Sequence, residues 1–376
     1  MSETDFLIVG AGIAGAGIAF HLAQHASVAL IDMEDQAGYH TTGRSAAFYA
    51  ETYGGPKLQP LTTASKAFLQ SPPQGFTAQP ILSNLGAIHL FRHSQTKNAR
   101  AAFEAMAPGL PSIKMLTAEQ VLARAPYLRK DLVAGGIDDP DCGNLDVAAL
   151  HQGFLKGAKN AGCVLGLGAG FEQAVFEGGA WCVKTRMGEI KAKVIINAAG
   201  AWGDEIAIRA GIAPLGLMPL RRTIITVPNP DGLPFNNKGP VVIDVDENFY
   251  FKPEGSGYLV SAADETPSVP CDAQPELEDI AIAADQFEQA TGASLPGIDA
   301  KWAGLRTFAP DRVPVIGYAP DNAHFFWNVG QGGYGIQTAP AWSQLAAALA
   351  RGVAVPASLM AHDVRAELYD PARFSS

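Results

Sequence analysis

The sequence predicts an α/β protein in which a domain built on a parallel sheet is interrupted by a second domain with a mainly antiparallel sheet. The length of 376 residues suits two domains of common size. Short, continuously apolar runs near both chain ends indicate buried parallel strands. Between them, short strand patterns separated by Pro, Gly and Asp turns favour an antiparallel sheet.

The first segment has the pattern of a β–α–β unit. Residues 5–10 form an apolar run that ends in glycine, residues 14–24 suit a helix of small side chains, and residues 27–32 suit a second strand. The crossover between the two strands implies that they are parallel. Turns are expected at residues 38–47, and a mixture of helix and loop at residues 58–130.

Further strands are expected along the rest of the chain, at residues 194–200, 221–227, 241–246, 249–252, 258–262 and 325–329. A glycine-rich turn at residues 330–335 opens a helix that ends near Arg351. We therefore place the first domain at residues 1–47, 141–215 and 302–376, and the second at residues 48–140 and 216–301.

Composition excludes several classes of protein. Hydrophobic residues make up 48% and charged residues 17%, which excludes a disordered chain. A net charge of −10 argues against nucleic acid as a partner. The apolar run at residues 6–20 contains four glycines and follows acidic residues, so we predict neither a signal peptide nor an integral membrane segment. The four cysteines lack CxxC spacing, which favours reduced, buried thiols in a cytoplasmic protein.

No metal site is predicted. His89 and His93 lie in or beside a strand pattern, where four residues span too great a distance for two ligands of one ion. We expect both to be surface or loop histidines. The motifs of serine hydrolases, zinc proteases and P-loop kinases are missing from the sequence.

A dinucleotide-binding motif follows the first strand. Gly10, Gly12 and Gly15 form GxGxxG between strand and helix, and Asp32 ends the next strand about 20 residues later. The first glycine permits the tight turn, the second lets the backbone approach a pyrophosphate, and the third allows close helix–sheet packing. Asp32 suits the hydroxyls of an adenosine ribose. The motif alone fits either FAD or NAD.

Two further segments favour FAD. Residues 41–47 follow the second strand and are rich in hydroxyl and N–H donors, which a long flavin nucleotide requires. Residues 330–338 form a second glycine-rich turn that opens a helix, which suits the electron-rich edge of an isoalloxazine ring or a phosphate.

Five separated motifs resemble the FAD-dependent D-amino acid dehydrogenase/oxidase family. They lie at residues 10–15, 38–47, 197–202, 302–306 and 331–338. Within that family the chain is most similar to the bacterial D-arginine dehydrogenases. The resemblance implies a Rossmann-like FAD-binding domain of the glutathione-reductase type, non-covalent FAD, and oxidation of an amino acid to an imino acid that hydrolyses to a 2-oxo acid and ammonia.

The motifs and the resemblance together predict the residues that bind the cofactor, which are Gly10, Gly12, Ala14, Gly15, Asp32, Met33, Thr41, Thr42, Gly43, Arg44, Ser45, Ala46, Ala47, Phe171, Ala199, Gly200, Trp202, Gly332, Gly333, Tyr334, Gly335, Ile336 and Gln337. Gly333 and Gln337 are also expected beside the substrate carboxylate. The expected partners are a small amino acid and an electron acceptor, either O₂ or a quinone-type carrier.

Four residues match the family's substrate-binding positions and are the expected catalytic residues: Tyr53, Arg222, Tyr250 and Arg306. A buried α-carboxylate beside a flavin requires a bidentate guanidinium and phenolic donors. Strand alternation would point only one of Arg221 and Arg222 inward. The expected reaction is hydride transfer from Cα to flavin N5, with Tyr53 as the candidate for a proton relay.

The expected side-chain pocket differs from that of the arginine enzymes. The resemblance implies a histidine and a glutamate facing the cationic end of the substrate, where this chain has Phe48 and Ala87. With Val241 and Ile243, these would make the pocket apolar, so D-arginine and D-lysine should be poor substrates. We expect a neutral or apolar D-amino acid. The alternatives are a secondary amino acid such as sarcosine, or a flavin-binding protein without turnover.

Overall fold

The computed structural model describes residues 3–374, which contain three β-sheets and nine α-helices. The strands are β1 Thr4–Val9, β2 Val28–Ile31, β3 Phe48–Tyr49, β4 Leu82–Asn84, β5 Ala87–Phe91, β6 Lys114–Thr117, β7 Gly135–Asp139, β8 Gly143–Leu145, β9 Val164–Gly166, β10 Phe171–Glu177, β11 Ala180–Thr185, β12 Gly188–Asn197, β13 Met218–Pro228, β14 Val241–Asp244, β15 Tyr250–Glu254, β16 Gly257–Ser261, β17 Thr266–Pro267, β18 Ala300–Phe308, β19 Val315–Ala319 and β20 Asn322–Val329. The helices are α1 Ile13–Leu22, α2 Gln59–Gln70, α3 Thr96–Met106, α4 Ala118–Arg124, α5 Val147–Asn160, α6 Gly203–Arg209, α7 Leu277–Thr291, α8 Ala339–Ala350 and α9 Ala357–Met360.

The first sheet has eight strands and a parallel centre. β9, β2, β1, β12 and β20 are successive parallel neighbours, while β10, β11 and β19 add antiparallel edges. Phe6 and Ile8 of β1 enter one core cluster, and Leu7 and Val9 enter another. Burial on both faces explains why these strands are continuously apolar, and it confirms the parallel strands expected near both chain ends.

Helices cover both faces of the first sheet. On one face, α1 packs against α5 and α8, with Ile18, Leu150 and Trp342 in a shared core. On the other face, α6 contributes Ile206 and Ala207 to the second cluster. α8 ends at Ala350, as the sequence predicts. The carboxyl ends of β1, β2, β12 and β20 lie at the same edge of this sheet, which is where α/β sheets bind ligands.

The second sheet has nine strands in the order β17-β13-β16-β15-β14-β5-β7-β6, with β18 also paired to β13. β5 and β14 are parallel and the other pairs are antiparallel, which confirms a mainly antiparallel sheet. α4 and α7 cover one face, where Val121 and Phe287 meet Val242. The opposite face carries Val241, Ile243 and the functional residues described below.

Three features differ from the sequence-based expectation. The region 58–130 contains β4, β5 and β6 as well as helices and loops. β18 was not expected as a strand, and it joins the second sheet although it crosses the expected boundary at residue 302. A small sheet of β3, β8 and β4 likewise links segments from both sides of residue 141. The domain boundaries therefore remain a prediction.

His89 lies in the interior, contrary to the expectation of a surface histidine. It is 6% exposed because β5 lies between β14 and β7 in the nine-stranded sheet. His93 is exposed, as expected. Among the cysteines, Cys142 and Cys163 are buried thiols, whereas the other two are half-buried.

Residues 3–374 contain no helix that is both long and apolar enough to cross a membrane. Over the same described range, no group of three or more His, Cys, Asp and Glu side chains is arranged to hold a metal ion.

A substitution at Gly10 tests whether the turn after β1 requires glycine. Its φ is +103°, and a Cβ on this residue would lie 2.5 Å from the carbonyl oxygen of Ala198. We expect Gly10→Ala to lower the free energy of unfolding by more than ~1 kcal/mol, because both the backbone conformation and the contact are unfavourable for alanine. Gly297→Ala is the control, since a Cβ there has no heavy atom within 4 Å. Equal urea midpoints for Gly10→Ala and the wild type would contradict this account.

Candidate active site

A single cavity connects the glycine-rich turn after β1 with the face of the second sheet. Gly10 and Gly12 line it at one end, and Arg222, Tyr250 and Arg306 line it at the other. The cavity runs past the carboxyl ends of the parallel strands, the usual ligand position in sheets of this type.

The N-terminus of α1 opens into this cavity. Gly12 is its N-cap and has no side-chain cap, and the first turn has no acidic residue. The loop after β2 lies close by, since Ile13 N–H donates to Thr42 Oγ1 at 2.9 Å and a Cβ on Gly12 would lie 3.1 Å from the same oxygen. A positive helix dipole at a glycine surface, beside a loop that carries hydroxyl groups, suits a pyrophosphate.

Asp32 lies at the end of β2, beside Met33 and Phe171. Burial raises the pKa of its carboxyl, although that carboxyl accepts hydrogen bonds from Ala11 N–H at 2.6 Å and Glu34 N–H at 2.9 Å. These two bonds fix the orientation of the carboxylate, and its remaining lone pairs can accept ribose hydroxyls.

The loop 38–47 joins the first sheet to the second. Thr41 Oγ1 donates to the carbonyl oxygen of Leu305 at 2.7 Å. The Arg44 guanidinium forms an ion pair with Asp272 and donates to the carbonyl oxygen of Ala303 at 3.2 Å. Arg44 lines the cavity, but these bonds show that its side chain chiefly holds the loop against β18.

His40 is a cavity residue that the sequence analysis missed. Its Nε2 lies 2.9 Å from Glu34 Oε1, and its ring centroid lies 4.6 Å from that of Trp202. Its Nδ1 is buried and has no hydrogen-bond partner among the described residues. A buried ring nitrogen without a partner, beside an uncapped helix and a hydroxyl-bearing loop, fits a polar dinucleotide in this cavity.

Arg222 on β13 is the most buried cation of the cavity, at 8% exposure. Its neighbour Arg221 points to the opposite face and pairs with Glu276, as strand alternation predicts. Arg222 Nε donates to the carbonyl oxygen of Asp264 at 2.8 Å. Burial lowers the pKa of Arg222, and the positive charge of Arg306 lowers it further. The guanidinium therefore lies where an anion would stabilise it.

Arg306 on β18 lies on the same sheet face as Arg222, because Arg222 pairs with Gly304, two residues away. Its Nη1 donates to the Tyr53 hydroxyl at 3.2 Å. A Cβ on Gly333 would lie 2.5 Å from that hydroxyl and 3.0 Å from Arg306 Nη1. Glycine is therefore needed where the turn after β20 approaches the two side chains.

Aromatic side chains form the wall beside the arginines. The Phe48 ring centroid lies 5.7 Å from that of Tyr250 and 6.5 Å from that of Tyr53. All three line the cavity, together with Ile224. This wall is apolar apart from its two hydroxyl groups.

Six expected site residues do not line the cavity: Gly15, Gly43, Ala87, Val241, Ile243 and Tyr334. Ala87, Val241 and Ile243 share the correct sheet face, but they are packed in a buried cluster with Phe48 and Tyr250. Because they pack against these rings and lie outside the cavity lining, they support the wall rather than form it.

The remaining three of these six residues have packing roles. A Cβ on Gly15 would lie 1.8 Å from the carbonyl oxygen of Gly10, and one on Gly43 would lie 2.7 Å from that of Gly38. Tyr334 packs with its ring centroid 5.0 Å from that of Tyr53.

Gln337 lines the cavity but uses its side chain for internal hydrogen bonds. Its Oε1 accepts the Ala50 N–H at 3.0 Å, and its Nε2 donates to Thr62 Oγ1 at 3.2 Å. The amide thus holds the segment after β3 rather than pointing its polar atoms at a ligand.

The other expected cofactor residues all line the cavity, namely Gly10, Gly12, Ala14, Asp32, Met33, Thr41, Thr42, Arg44, Ser45, Ala46, Ala47, Phe171, Ala199, Gly200, Trp202, Gly332, Gly333, Gly335 and Ile336. Sequence reasoning missed Tyr39, His40, Arg186 and Arg209, which also line it. The loop motif at residues 38–47 could have indicated the first two. The two arginines come from a hairpin and a helix with no motif of their own.

The fold and the cavity are those of a dinucleotide-binding α/β protein whose second sheet presents two arginines, Arg222 and Arg306, to the cavity. The sequence matches the DAO family, described as FAD dependent oxidoreductase, over residues 5–349. The chain belongs to this family, and it is an FAD-dependent oxidoreductase.

The chain is similar to several known proteins. It is 25% identical over 363 residues to a glycine oxidase from Bacillus licheniformis, which covers 93% of each chain. It is 29% identical over 262 residues to a D-amino acid dehydrogenase from Cereibacter sphaeroides, which covers 66% of this chain and 57% of the relative. Its fold matches that of L-proline dehydrogenase from P. horikoshii with a TM-score of 0.84 at 22% identity, covering 100% and 98% of the two chains.

A buried carboxyl group lies behind the loop that carries Tyr53. Asp139 is 1% exposed and accepts a hydrogen bond from Thr52 Oγ1 at 2.8 Å. Burial raises the pKa of Asp139 to about 6, and the negative charge of Asp141 adds to the shift. Because the folded state holds this proton more tightly than the unfolded state, the group contributes stability at low pH that is lost as the pH rises through 6.

The variant Asp139→Asn tests this effect, because asparagine keeps an acceptor for Thr52 and cannot ionise. Between about pH 4 and pH 6.5 we expect the wild type to lose on the order of 2 kcal/mol more unfolding free energy than the variant, measured by urea denaturation. Asp363→Asn, at an exposed carboxylate, is the control. Parallel pH profiles for the wild type and Asp139→Asn would show that the buried group does not carry the shift.

Proposed function

We propose that this chain oxidises a D-amino acid with a neutral or apolar side chain to an imino acid, which water hydrolyses to a 2-oxo acid and ammonia. The observation that carries the proposal is the placement of Arg222 and Arg306 on one sheet face, at the end of the cavity that fits FAD. When bound there, FAD supplies the acceptor for the hydride that leaves the substrate Cα.

The arginine pair suits the carboxylate of an amino acid. Two guanidinium groups share the cavity end, and the hydrogen bonds of Arg222 and Arg306 go to neutral partners, the carbonyl of Asp264 and the hydroxyl of Tyr53. Glu265 lies 3.6 Å from Arg222, outside hydrogen-bond distance, whereas a substrate carboxylate could accept two parallel N–H bonds from a guanidinium. The relatives named glycine oxidase and D-amino acid dehydrogenase support an amino acid as the substrate.

The aromatic wall supports an uncharged side chain. Phe48, Ile224 and Tyr250 line this end of the cavity without an acidic residue among them. A substrate guanidinium or ammonium at the end of a side chain would lose water here without gaining a carboxylate partner. The preference for the D-enantiomer rests on the family resemblance of the motifs.

We propose that the substrate ammonium group loses its proton to water before the amino acid binds. The Tyr53 hydroxyl accepts a hydrogen bond from Arg306 and so keeps its own proton to donate. The acidic and histidine side chains of the cavity lining, Asp32, Glu205 and His40, belong to the side of the first sheet. We therefore propose that the amine binds in its neutral form and that Tyr53 orients it.

An anaerobic reduction assay tests the substrate class. Purified enzyme with bound FAD is mixed with each of about twenty D-amino acids, their L-enantiomers and sarcosine, and bleaching of the flavin absorption is recorded. We expect rapid bleaching with neutral or apolar D-amino acids and slow bleaching with D-arginine and D-lysine, because the wall of Phe48, Ile224 and Tyr250 offers no carboxylate to their charged ends. Bleaching by sarcosine alone would favour a secondary-amine oxidoreductase, and no bleaching at all would contradict turnover. Repetition with O₂ or a quinone as acceptor separates an oxidase from a dehydrogenase.

The variant Arg222→Met tests the carboxylate site. We expect kcat/KM for the best amino acid to fall at least about a hundredfold, or ~3 kcal/mol, because the desolvated carboxylate loses its partner. Arg221→Met is the matched control, since that side chain points to the other face of the same strand. Equal losses in both variants, or wild-type kinetics in Arg222→Met, would contradict the assignment.

A further inference from the structure

The carboxylate of Glu265 lies between Arg312 and Arg222, and Arg222 lines the substrate end of the cavity. Glu265 Oε1 and Oε2 lie 2.8 and 2.9 Å from Arg312 Nη2, within hydrogen-bond distance. The same Oε1 lies 3.6 Å from Arg222 Nη2, which is outside hydrogen-bond distance but close enough for strong attraction. Glu265 is therefore bonded to one arginine and attracted by the other.

Arg312 is held firmly in the position from which it binds Glu265. Its guanidinium carbon lies 3.9 Å from the centroid of the buried Phe308 ring, a cation–π contact. Its φ is +60°, an unfavourable conformation for a side chain of this size, and its N–H donates to the carbonyl oxygen of Ala309 at 2.8 Å. Such a conformation persists only where surrounding contacts determine it.

Arg222 has guanidinium nitrogens left for a ligand. Its Nε donates to the carbonyl oxygen of Asp264. The preceding residue, Ala263, has a φ of +52°. Glu265 is 34% exposed and lies next to Asp264, so a small rotation of its side chain would carry a carboxylate oxygen onto Arg222 Nη2. A carboxylate bonded there would compete with any carboxylate that enters the cavity.

We propose that Arg312 is a positioning residue that holds the Glu265 carboxylate away from Arg222, so that Arg222 stays free to bind the carboxylate of the substrate. This inference rests on the proposed function, because it requires that Arg222 binds a carboxylate. Glu265 acts as an internal competitor, and the strength of its bond to Arg312 sets how strongly it competes.

Acetate binding to the enzyme with bound FAD tests this inference. Acetate carries the carboxylate without the amine, and its binding is followed through the visible absorption of the neighbouring flavin. We expect Arg312→Gln to weaken acetate binding about tenfold and to raise KM by a similar factor with little change in kcat. Glu265→Gln should bind acetate at least as tightly as the wild type, and Arg312→Lys should recover most of the loss because it keeps the charge.

The double variant separates displacement of Glu265 from the simple loss of a positive charge. With Glu265→Gln in place, Arg312→Gln should have little further effect, because no competitor remains to be released. Additive effects of the two substitutions would overturn the inference. Arg365→Gln, which removes an exposed arginine paired with Asp363, is the control and should change neither constant.

Failure of the inference and failure of the proposed function give different results. If the wild type binds acetate but Arg312→Gln binds it equally well, the inference is wrong and the carboxylate site stands. If acetate binds and the Arg312 effect is present while no amino acid bleaches the flavin, the proposed function is wrong and the inference stands. If acetate does not bind to the wild type, the inference is overturned, whereas the proposed function is overturned only if no amino acid bleaches the flavin.

Discussion

The two ends of the site depend on one loop that bonds to both sheets. Thr42 accepts the N–H of Ile13 at the start of α1, while Thr41 donates to the carbonyl oxygen of Leu305 on β18. Arg44 adds its bond to the carbonyl oxygen of Ala303 on the same strand. Because β18 also carries Arg306, the loop fixes the distance between the start of α1 and Arg306. The reacting carbon of a substrate can be positioned only if that distance is constant.

The proposed preference of the site for anions rests on how the charges of Arg222 and Arg306 are partnered. Arg222 and Arg306 share a face, yet their hydrogen bonds go to a carbonyl and a phenol rather than to carboxylates. A directly bonded carboxylate would stabilise the folded protein but would occupy the position that a substrate needs. The offset of Glu265 from Arg222, at 3.6 Å, is consistent with this compromise between stability and binding.

The sequence predicted those parts of the site that depend on residues close together in the chain. The GxGxxG motif and Asp32 could be recognised because they meet the backbone requirements of one turn. Continuous apolar runs indicated the strands that are buried on both faces. β18 was missed because Gly304 and Arg306 interrupt its strand pattern, and only pairing with β13 stabilises it. The family resemblance predicted Ala87 as a pocket residue, but it could not show that Ala87 packs in a buried cluster with Phe48 and Tyr250, outside the cavity lining.

Under the proposed function, selection of the substrate side chain depends on how Phe48 is held. Its strand β3 has only two residues, and its pairing with β8 places Phe48 opposite Asn144. The segment that follows is fixed by the bond from Ala50 N–H to Gln337 Oε1, from the turn that opens α8. The same turn brings Gly333 against Arg306. One backbone segment thus sets both the aromatic wall and the carboxylate clamp, so a substitution that shifts this turn should alter side-chain preference and carboxylate binding together.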